Sequence, residues 1–477
     1  MRTGTWRRPA LACLALVAGA CAVGPNFKTP PTAAPEHWRD STISAQDSSY
    51  ANLAWWEVLG DSTLQELVRI ALRENRDLRI ALAHVNEARA RLGIQQLEFL
   101  PQIDVSGRAA KVHVSDSLLG LRTGTYNLFE LGASVSWELD LWGRLRRLNE
   151  SAKASLLATE YARRGVIITV VGDVARAYLE LRDLDQQTVI AESIVVTRRR
   201  SLDLARSRFE GGLTSELDVR QGESELAGSE GRVASIRLQA SQKEQELNVL
   251  LGRMPGTVPR GAALIKQTFR TQIPPGIPST VLQRRPDIRQ AEAELRSANA
   301  MIGAAIAARF PTISLTAAGG TRTDAIENLF QAGTGFLHLA TNVLLPIINA
   351  GRSGKQVKLE RARTEAAVAR YDQVVLNAFR EVENGLVALQ QLQIEVGAAV
   401  RQVGAARRAV ALAGDRYQGG VDSYTTLLDA QRVLADAELG ESSLQRQQRV
   451  AVVQLYRALG GGWDAVTDTL AIPHPAR

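Results

Sequence analysis

The sequence predicts an α+β chain made of two tandem repeats, each joining a pair of membrane-length strands to a very long helical hairpin. Three observations carry that reading. First, Arg208-Phe209-Glu210-Gly211-Gly212-Leu213-Thr214-Ser215 is matched 208 residues later by Arg416-Tyr417-Gln418-Gly419-Gly420-Val421-Asp422-Ser423. Gly-Gly after a helical run supplies the left-handed residue that stops a helix, and Thr214 and Ser215, or Asp422 and Ser423, can cap the next one. Second, apolar residues occupy every odd position from Phe129 to Leu141, the period of a strand with one apolar face. Third, none of the 16 prolines falls between Arg144 and Met254 or between Ile347 and Ile472, which leaves two long segments free to be uninterrupted helix.

Composition agrees. With 5% aromatic residues and much Ala, Leu, Arg, Gln and Glu, the chain suits long helices packed through narrow seams better than one thick core. The net charge of +7 is spread over interspersed Lys/Arg and Asp/Glu. With no basic patch interleaved with aromatics, nucleic acid is not an expected partner.

At the amino end Arg2, Arg7 and Arg8 precede an apolar run from Ala10 to Ala20. This reads as a signal peptide over 1–20, too short to span a membrane as a mature helix. Leu16-Val17-Ala18-Gly19-Ala20-Cys21 resembles a bacterial lipobox, in which Cys21 would carry the lipid, including palmitate, and become the first mature residue. Ala18 departs from the Leu that motif more often has, and an ordinary signal peptide cut nearby is the alternative. With Cys21 lipidated the mature chain has no free thiol and no disulfide, and no cofactor beyond that lipid is expected.

Residues 21–74 read as a linker and mixed segment, with Leu53-Ala54-Trp55-Trp56 either a docking anchor or a local cluster. Helical spacing runs from Leu64 to Leu100 and ends at Pro101, giving a first helix over 75–100. Strands follow at about 102–114 and 127–141. A long helix over 144–208, a return helix over 214–251 and a mixed segment over 252–284 complete the first repeat, 75–284. The second repeat, 285–459, has a helix at 285–309, strands at about 312–321 and 335–347, a long helix at 352–416 and a return helix at 422–459. The tail is 460–477. Asp77-Leu78-Arg79, Pro101 and Ile103 map onto Asp287-Ile288-Arg289, Pro311 and Ile313 at an offset of 210, which becomes 208 beyond the strands, as a short surface-loop deletion would leave.

Helix lengths constrain the arrangement. A 65-residue helix is about 98 Å long at roughly 1.5 Å per residue. Segments 214–251 and 285–309 together match that length. In the second half 422–459 needs the chain's first helix, 75–100, to do so, which places 22–74, 252–284 and 460–477 at one height as a belt. Four strands cannot close a barrel, and an open sheet edge is not tolerated in lipid. Several copies must therefore pool strands, two, three or four of them giving even totals. The long helices must project into water as a tube.

At this point the residues carry a family resemblance. Cys-Ala-Val-Gly-Pro-Asn-Phe after the lipobox, Trp-Glu-Leu-Asp-Leu-Trp-Gly-Arg, Arg-Arg-Pro-Asp-Ile and Gly-Val-Asp-Ser-Tyr…Leu-Leu-Asp-Ala-Gln-Arg resemble the outer-membrane efflux family of the TolC/OprM type, in its NodT-like lipoprotein branch. The resemblance implies a homotrimer with a twelve-stranded outer-membrane β-barrel continuous with a periplasmic α-helical barrel, plus an equatorial domain. It also implies a periplasmic membrane-fusion adaptor, an inner-membrane RND-type pump and outer-membrane lipid as partners, with drugs or small toxic compounds as cargo. Asp429 matches the position of the family's constricting acidic ring, with Arg432 one turn on and Gln221 at the equivalent place in the first repeat. Thr425 departs from the apolar residue often found there. Gly211, Gly212, Thr214, Gly419, Gly420 and Asp422 are candidate adaptor contacts at the tips. Phe129, Trp137 and Trp142 are candidate membrane-interface aromatics. The alternatives to gating and docking are a solvated ion pair and simple helix termination. No catalytic or metal-binding pattern stands out, the five histidines being scattered. Rival functions are a type I secretion duct, a periplasmic adaptor or a coiled-coil scaffold.

Overall fold

A computed structural model describes residues 22–32, 34–35, 37–39, 60–114, 124–263, 278–347 and 350–461. The signal peptide, Cys21, the Trp55-Trp56 cluster and the tail beyond 461 lie outside the described residues. The elements in order are α1 (Ser62–Glu74), α2 (Arg76–Leu97), β1 (Gln102–Val114), β2 (Gly124–Leu139), α3 (Arg144–Glu210), α4 (Glu216–Leu250), α5 (Pro278–Arg284), α6 (Pro286–Ala307), β3 (Thr312–Thr323), β4 (Gly335–Leu344), α7 (Arg352–Gln418) and α8 (Tyr424–Ala458). The two long helices have 67 residues each and the two return helices 35 each. Among the described residues no helix is long and apolar enough to cross a membrane.

The chain divides into two compact units that do not coincide with its repeats. The first takes 1–31, 84–160 and 290–372, and the second takes 32–83, 161–289 and 373–477.

The first unit holds one antiparallel sheet in the order β1-β2-β3-β4. Its register puts Ile103, Val135, Ala317 and Leu339 in one row, and Leu139, Ile313 and Val343 in another. All of these share one face, because strand side chains alternate. The opposite face carries the row Asp104, Ser134, Ala318 and His338. Leu337, Leu339 and Val343 are 76%, 71% and 63% exposed, so the apolar face is open in the single chain.

Strand β2 stops at Leu139, two residues before the expected end, because Asp140 leaves the ladder to start α3. Its two carboxylate oxygens accept from the backbone N–H of Leu145 at 3.0 Å and Arg146 at 2.9 Å, satisfying amides that a helix start leaves free. Glu138 forms a two-pronged pair with Arg144 at 3.0 and 2.8 Å. Residues 22–26 dock at this corner. The buried Arg147 guanidinium donates to the carbonyls of Val23 (3.1 Å) and Gly24 (3.2 Å) and to Asn26 Oδ1 (3.0 Å).

The second unit corrects two expectations. Residues 62–74 form a helix of their own, capped by Asp61, within the expected linker and mixed segment. The helical spacing from Leu64 to Leu100 is broken at Asn75, whose Oδ1 accepts from Leu78 N–H at 3.1 Å. The short helices also meet the other way round. Asn75 Nδ2 donates to the Leu250 carbonyl at the end of α4 (2.8 Å), and Arg285 donates to the Ala458 carbonyl at the end of α8 (3.0 Å). The end of α4 therefore meets the start of α2, and the end of α8 meets the start of α6. Length matching could not separate the two pairings, since α2 and α6 are both 22 residues long.

Tyr178 donates to Asp61 Oδ2 (2.9 Å) and accepts from Gly261 N–H (3.0 Å). This ties the α1 cap and the segment after α4 to the middle of α3. Burial pushes the phenol well above its ordinary pKa. The linker docks on α7, Trp38 lying 6.0 Å from Phe379 and Arg39 N–H reaching Glu383 at 2.9 Å.

Candidate functional site

The two Gly-Gly turns are built alike. Leu213 N–H reaches back to the Arg208 carbonyl (2.8 Å) and Gly212 N–H to that of Phe209 (2.9 Å). In the second copy Val421 N–H reaches Arg416 (2.9 Å) and Gly420 N–H reaches Tyr417 (3.0 Å). This pair of bonds closes a helix through one left-handed residue. That residue is Gly212 in one copy (φ 71°) and Gly420 in the other (φ 74°). Gly211 and Gly419 do not need to be glycine on this ground.

The caps that follow differ. Ser423 accepts from Thr426 N–H and caps α8, whereas Ser215 makes no side-chain cap bond. Thr214 instead bonds Asp218. Asp422 is held by Arg416 at 2.6 and 3.0 Å, and this contact keeps its carboxyl below the usual range.

The tips differ in packing as well. Tyr417 and Tyr424 lie 5.2 Å apart with their rings tilted by 45°, in a buried cluster with Ala205, Ala413, Leu427 and Leu428. Arg208 lies 5.0 Å over the Tyr417 ring and donates to the Gln418 carbonyl at 2.9 Å. Burial raises the Tyr424 hydroxyl to about 12. Phe209, the counterpart of Tyr417, is 43% exposed.

Helix α8 then presents two faces. Leu427, Leu428 and Gln431 are buried, while Thr425, Asp429 and Arg432 share the exposed side. Asp429 and Arg432 form an ion pair at 2.9 Å with both side chains about two-thirds exposed. Within the single chain such a pair is worth only ~0.3–0.5 kcal/mol.

Sequence reasoning missed what grips this turn from behind. Arg198 of α3 is 4% exposed. It donates to Gln431 Oε1 at 2.9 Å and the Leu428 carbonyl at 3.4 Å, and pairs with Glu225 of α4 at 3.1 Å. Gln431 donates onward to Ser201 at 2.7 Å. Further along, Asp183 accepts from Ser442 (2.5 Å) and Arg446 (3.0 Å). Sequence spacing gave little signal: Asp183 is flanked at three and four residues by Leu179, Glu180, Gln186 and Gln187, and Arg198 by Ile194, Val195, Ser201 and Leu202. At the 208-residue offset Arg198 corresponds to Ala406 and Asp183 to Gln391, so this polar seam belongs to one repeat only.

The candidate interface aromatics are partly engaged within the first unit. Trp137 donates to the Phe99 carbonyl (2.9 Å). Trp142 donates to the Pro311 carbonyl (2.8 Å) and stacks on Phe310 at 4.8 Å. Phe129 sits opposite Ala109 and Thr323 in the sheet. No group of metal-binding side chains occurs among the described residues.

Four antiparallel strands with an open apolar face, together with two 67-residue helices that each return through a tight turn, define a class: the outer-membrane channels with helical hairpins. The match to a family model is direct. The model described as Outer membrane efflux protein fits residues 67–253 and again 277–461, and the chain belongs to that family. The two matched stretches start 210 residues apart and end 208 apart, the offsets of the internal repeat. The toluene efflux pump outer membrane protein TtgC of Pseudomonas putida is 34% identical over 460 residues, covering 95% of each chain. The cation efflux system protein CusC of Escherichia coli is 32% identical over 455 residues, covering 94% of this chain and 98% of its own. The open-state outer membrane channel MtrE of Neisseria gonorrhoeae superposes with a TM-score of 0.81 at 30% identity, over 93% of this chain and 98% of that one. This chain is thus an outer-membrane efflux channel protein, of a family of ducts and not of enzymes.

Proposed function

We propose that three copies of this chain form the outer-membrane exit duct of a tripartite efflux system. An RND-type inner-membrane pump and a periplasmic adaptor feed it. The observation that carries the reading is the sheet: among the described residues β1 and β4 each pair on one side only, and one face is apolar. Three sheets joined edge to edge give twelve strands with every edge paired and the apolar face toward lipid. The adaptor and scaffold readings do not account for such a sheet.

In this duct Asp429, Arg432 and Thr425 line the periplasmic opening. Three carboxylates around one axis repel, and the three Arg432 side chains partly offset them, so the opening responds to charge. The exposed tips at Gly211, Gly212, Thr214, Gly419, Gly420 and Asp422 meet the adaptor. Trp137 and Trp142 stand near one membrane boundary, and Phe129, about 26 Å further along β2, near the other. Cys21 carries the lipid, and the docking of residues 22–26 at the β2–α3 corner supports this by holding the new amino end beside the sheet. The cargo is chosen by the pump. Relatives named for toluene and for cations are similar to this chain at nearly equal identity.

The test is conductance in planar bilayers, using protein that migrates as a heat-modifiable trimer. Asp429→Ala with Arg432→Ala is expected to raise single-channel conductance, and unchanged conductance would refute the gate. Cysteines at Thr214 and Asp422 are expected to crosslink to a co-expressed adaptor, and Cys21→Ser to remove the lipid mass.

A further inference from the structure

On the polar face of the sheet, Arg108, Glu130 and Arg322 fall in one register row across β1, β2 and β3. Arg322 pairs with Glu130 at 2.9 Å. Its guanidinium also lies 5.1 Å over the Phe336 ring, which fixes it from the β4 side. The next row on the same face is Ser106, Gly132, Gly320 and Phe336. A Cβ on Gly132 would come within 3.4 Å of the Phe336 ring, and one on Gly320 would lie 2.2 Å from the Leu131 carbonyl. The two glycines thus leave a bare floor over which Phe336 and Arg322 lie. Glu130 is largely enclosed, with 22% of its side chain exposed, and its charge is answered by Arg322. Arg108 is exposed and faces Glu130 from the other side. Each chain therefore presents two guanidiniums and one carboxylate at this height, about 20 Å along β1 from its helix-side start.

We infer that this row is an anion-favouring ring in the barrel lumen, where chloride and small organic anions are preferred over cations of equal size. The inference rests on the duct reading, which turns the polar face to the lumen. In a closed barrel the row repeats in every chain, giving a net positive band. Adjacent strands are ~4.8 Å apart, so the three groups of one chain lie within the ~8–10 Å screening length at physiological salt and act together, and the cluster recurs every four strands, ~19 Å, around the lumen. The band opposes the acidic gate, so one duct would carry two selectivity elements of opposite sign.

The test is the reversal potential of single trimers in a KCl gradient. Arg108→Ala is expected to raise the potassium-to-chloride permeability ratio roughly twofold, and Arg108→Glu to raise it further. Lys111→Ala, on the other face of β1, is expected to leave the ratio unchanged. An unchanged ratio in both Arg108 variants overturns the inference, as does an equal shift in Lys111→Ala. Heat-modifiable trimers show that each variant has assembled. A trimer that does not conduct even with Asp429→Ala and Arg432→Ala would defeat the duct reading itself, a result separate from a conducting trimer whose selectivity ignores Arg108.

Discussion

Replacing Arg198 with alanine removes the side chain that binds α3 to the turn of α8 carrying Asp429 and Arg432. Its bond to Gln431 Oε1 is 2.9 Å and buried, and a buried bond from a charged donor contributes about 1.5–3 kcal/mol. The contact to the Leu428 carbonyl, at 3.4 Å, adds little. Glu225 has 43% of its side chain exposed and rehydrates when the arginine is gone, so that pair contributes only ~0–1 kcal/mol. Burial lowers the arginine's pKa, an effect that Glu225 opposes. The net loss is about 2 kcal/mol, which at 1.4 kcal/mol per decade raises local opening of the turn roughly 30-fold. Amide hydrogen exchange in detergent-solubilised trimers reads this directly, at the backbone amides of Gln431 to Val433. Arg198→Ala and Gln431→Ala should speed exchange there by similar factors, and the double variant should add little to either. A coupling energy below ~0.5 kcal/mol in that cycle would refute the latch, as would equal acceleration across all of α8.

Three further outcomes are expected. Gly222→Ala would set a Cβ 2.7 Å from the Tyr424 hydroxyl and 3.0 Å from Leu202 Cδ1, costing about 1–3 kcal/mol, visible as a lower temperature for loss of the trimer band. Gly320→Ala would drive a Cβ into the Leu131 carbonyl at 2.2 Å and should reduce assembled trimer in outer-membrane fractions, whereas Gly335→Ala, whose Cβ would meet only the Gly320 carbonyl at 3.9 Å, should not. The Asp422 carboxyl is depressed by Arg416, so its clasp is fully present above the ordinary carboxylate pKa. That clasp is lost as pH falls through the depressed value. Asp422→Asn should abolish this acid-side loosening of the second tip, measured as exchange at Gly420 and Val421.

Much of this protein is set by local sequence. The 67-residue helices follow from the absence of proline and the spacing of apolar residues. Their ends follow from Gly212 and Gly420, because few other residues adopt a left-handed backbone at so little cost. The apolar face of the sheet is written in alternate residues of β2, and the duplication in the offsets of 210 and 208. Tertiary structure alone decided the rest. The break at Asn75 depends on the Leu250 carbonyl, 175 residues away, which no helical period records. The choice of which short helices meet was hidden by the equal lengths of α2 and α6, and contacts at Asn75 and Arg285 settle it. Arg198 and Asp183 look like surface charges in sequence, yet they are buried because Gln431, Ser442 and Arg446 arrive from the second repeat to satisfy them. A buried charge is stable only where such partners converge. That convergence is a property of packing between distant segments.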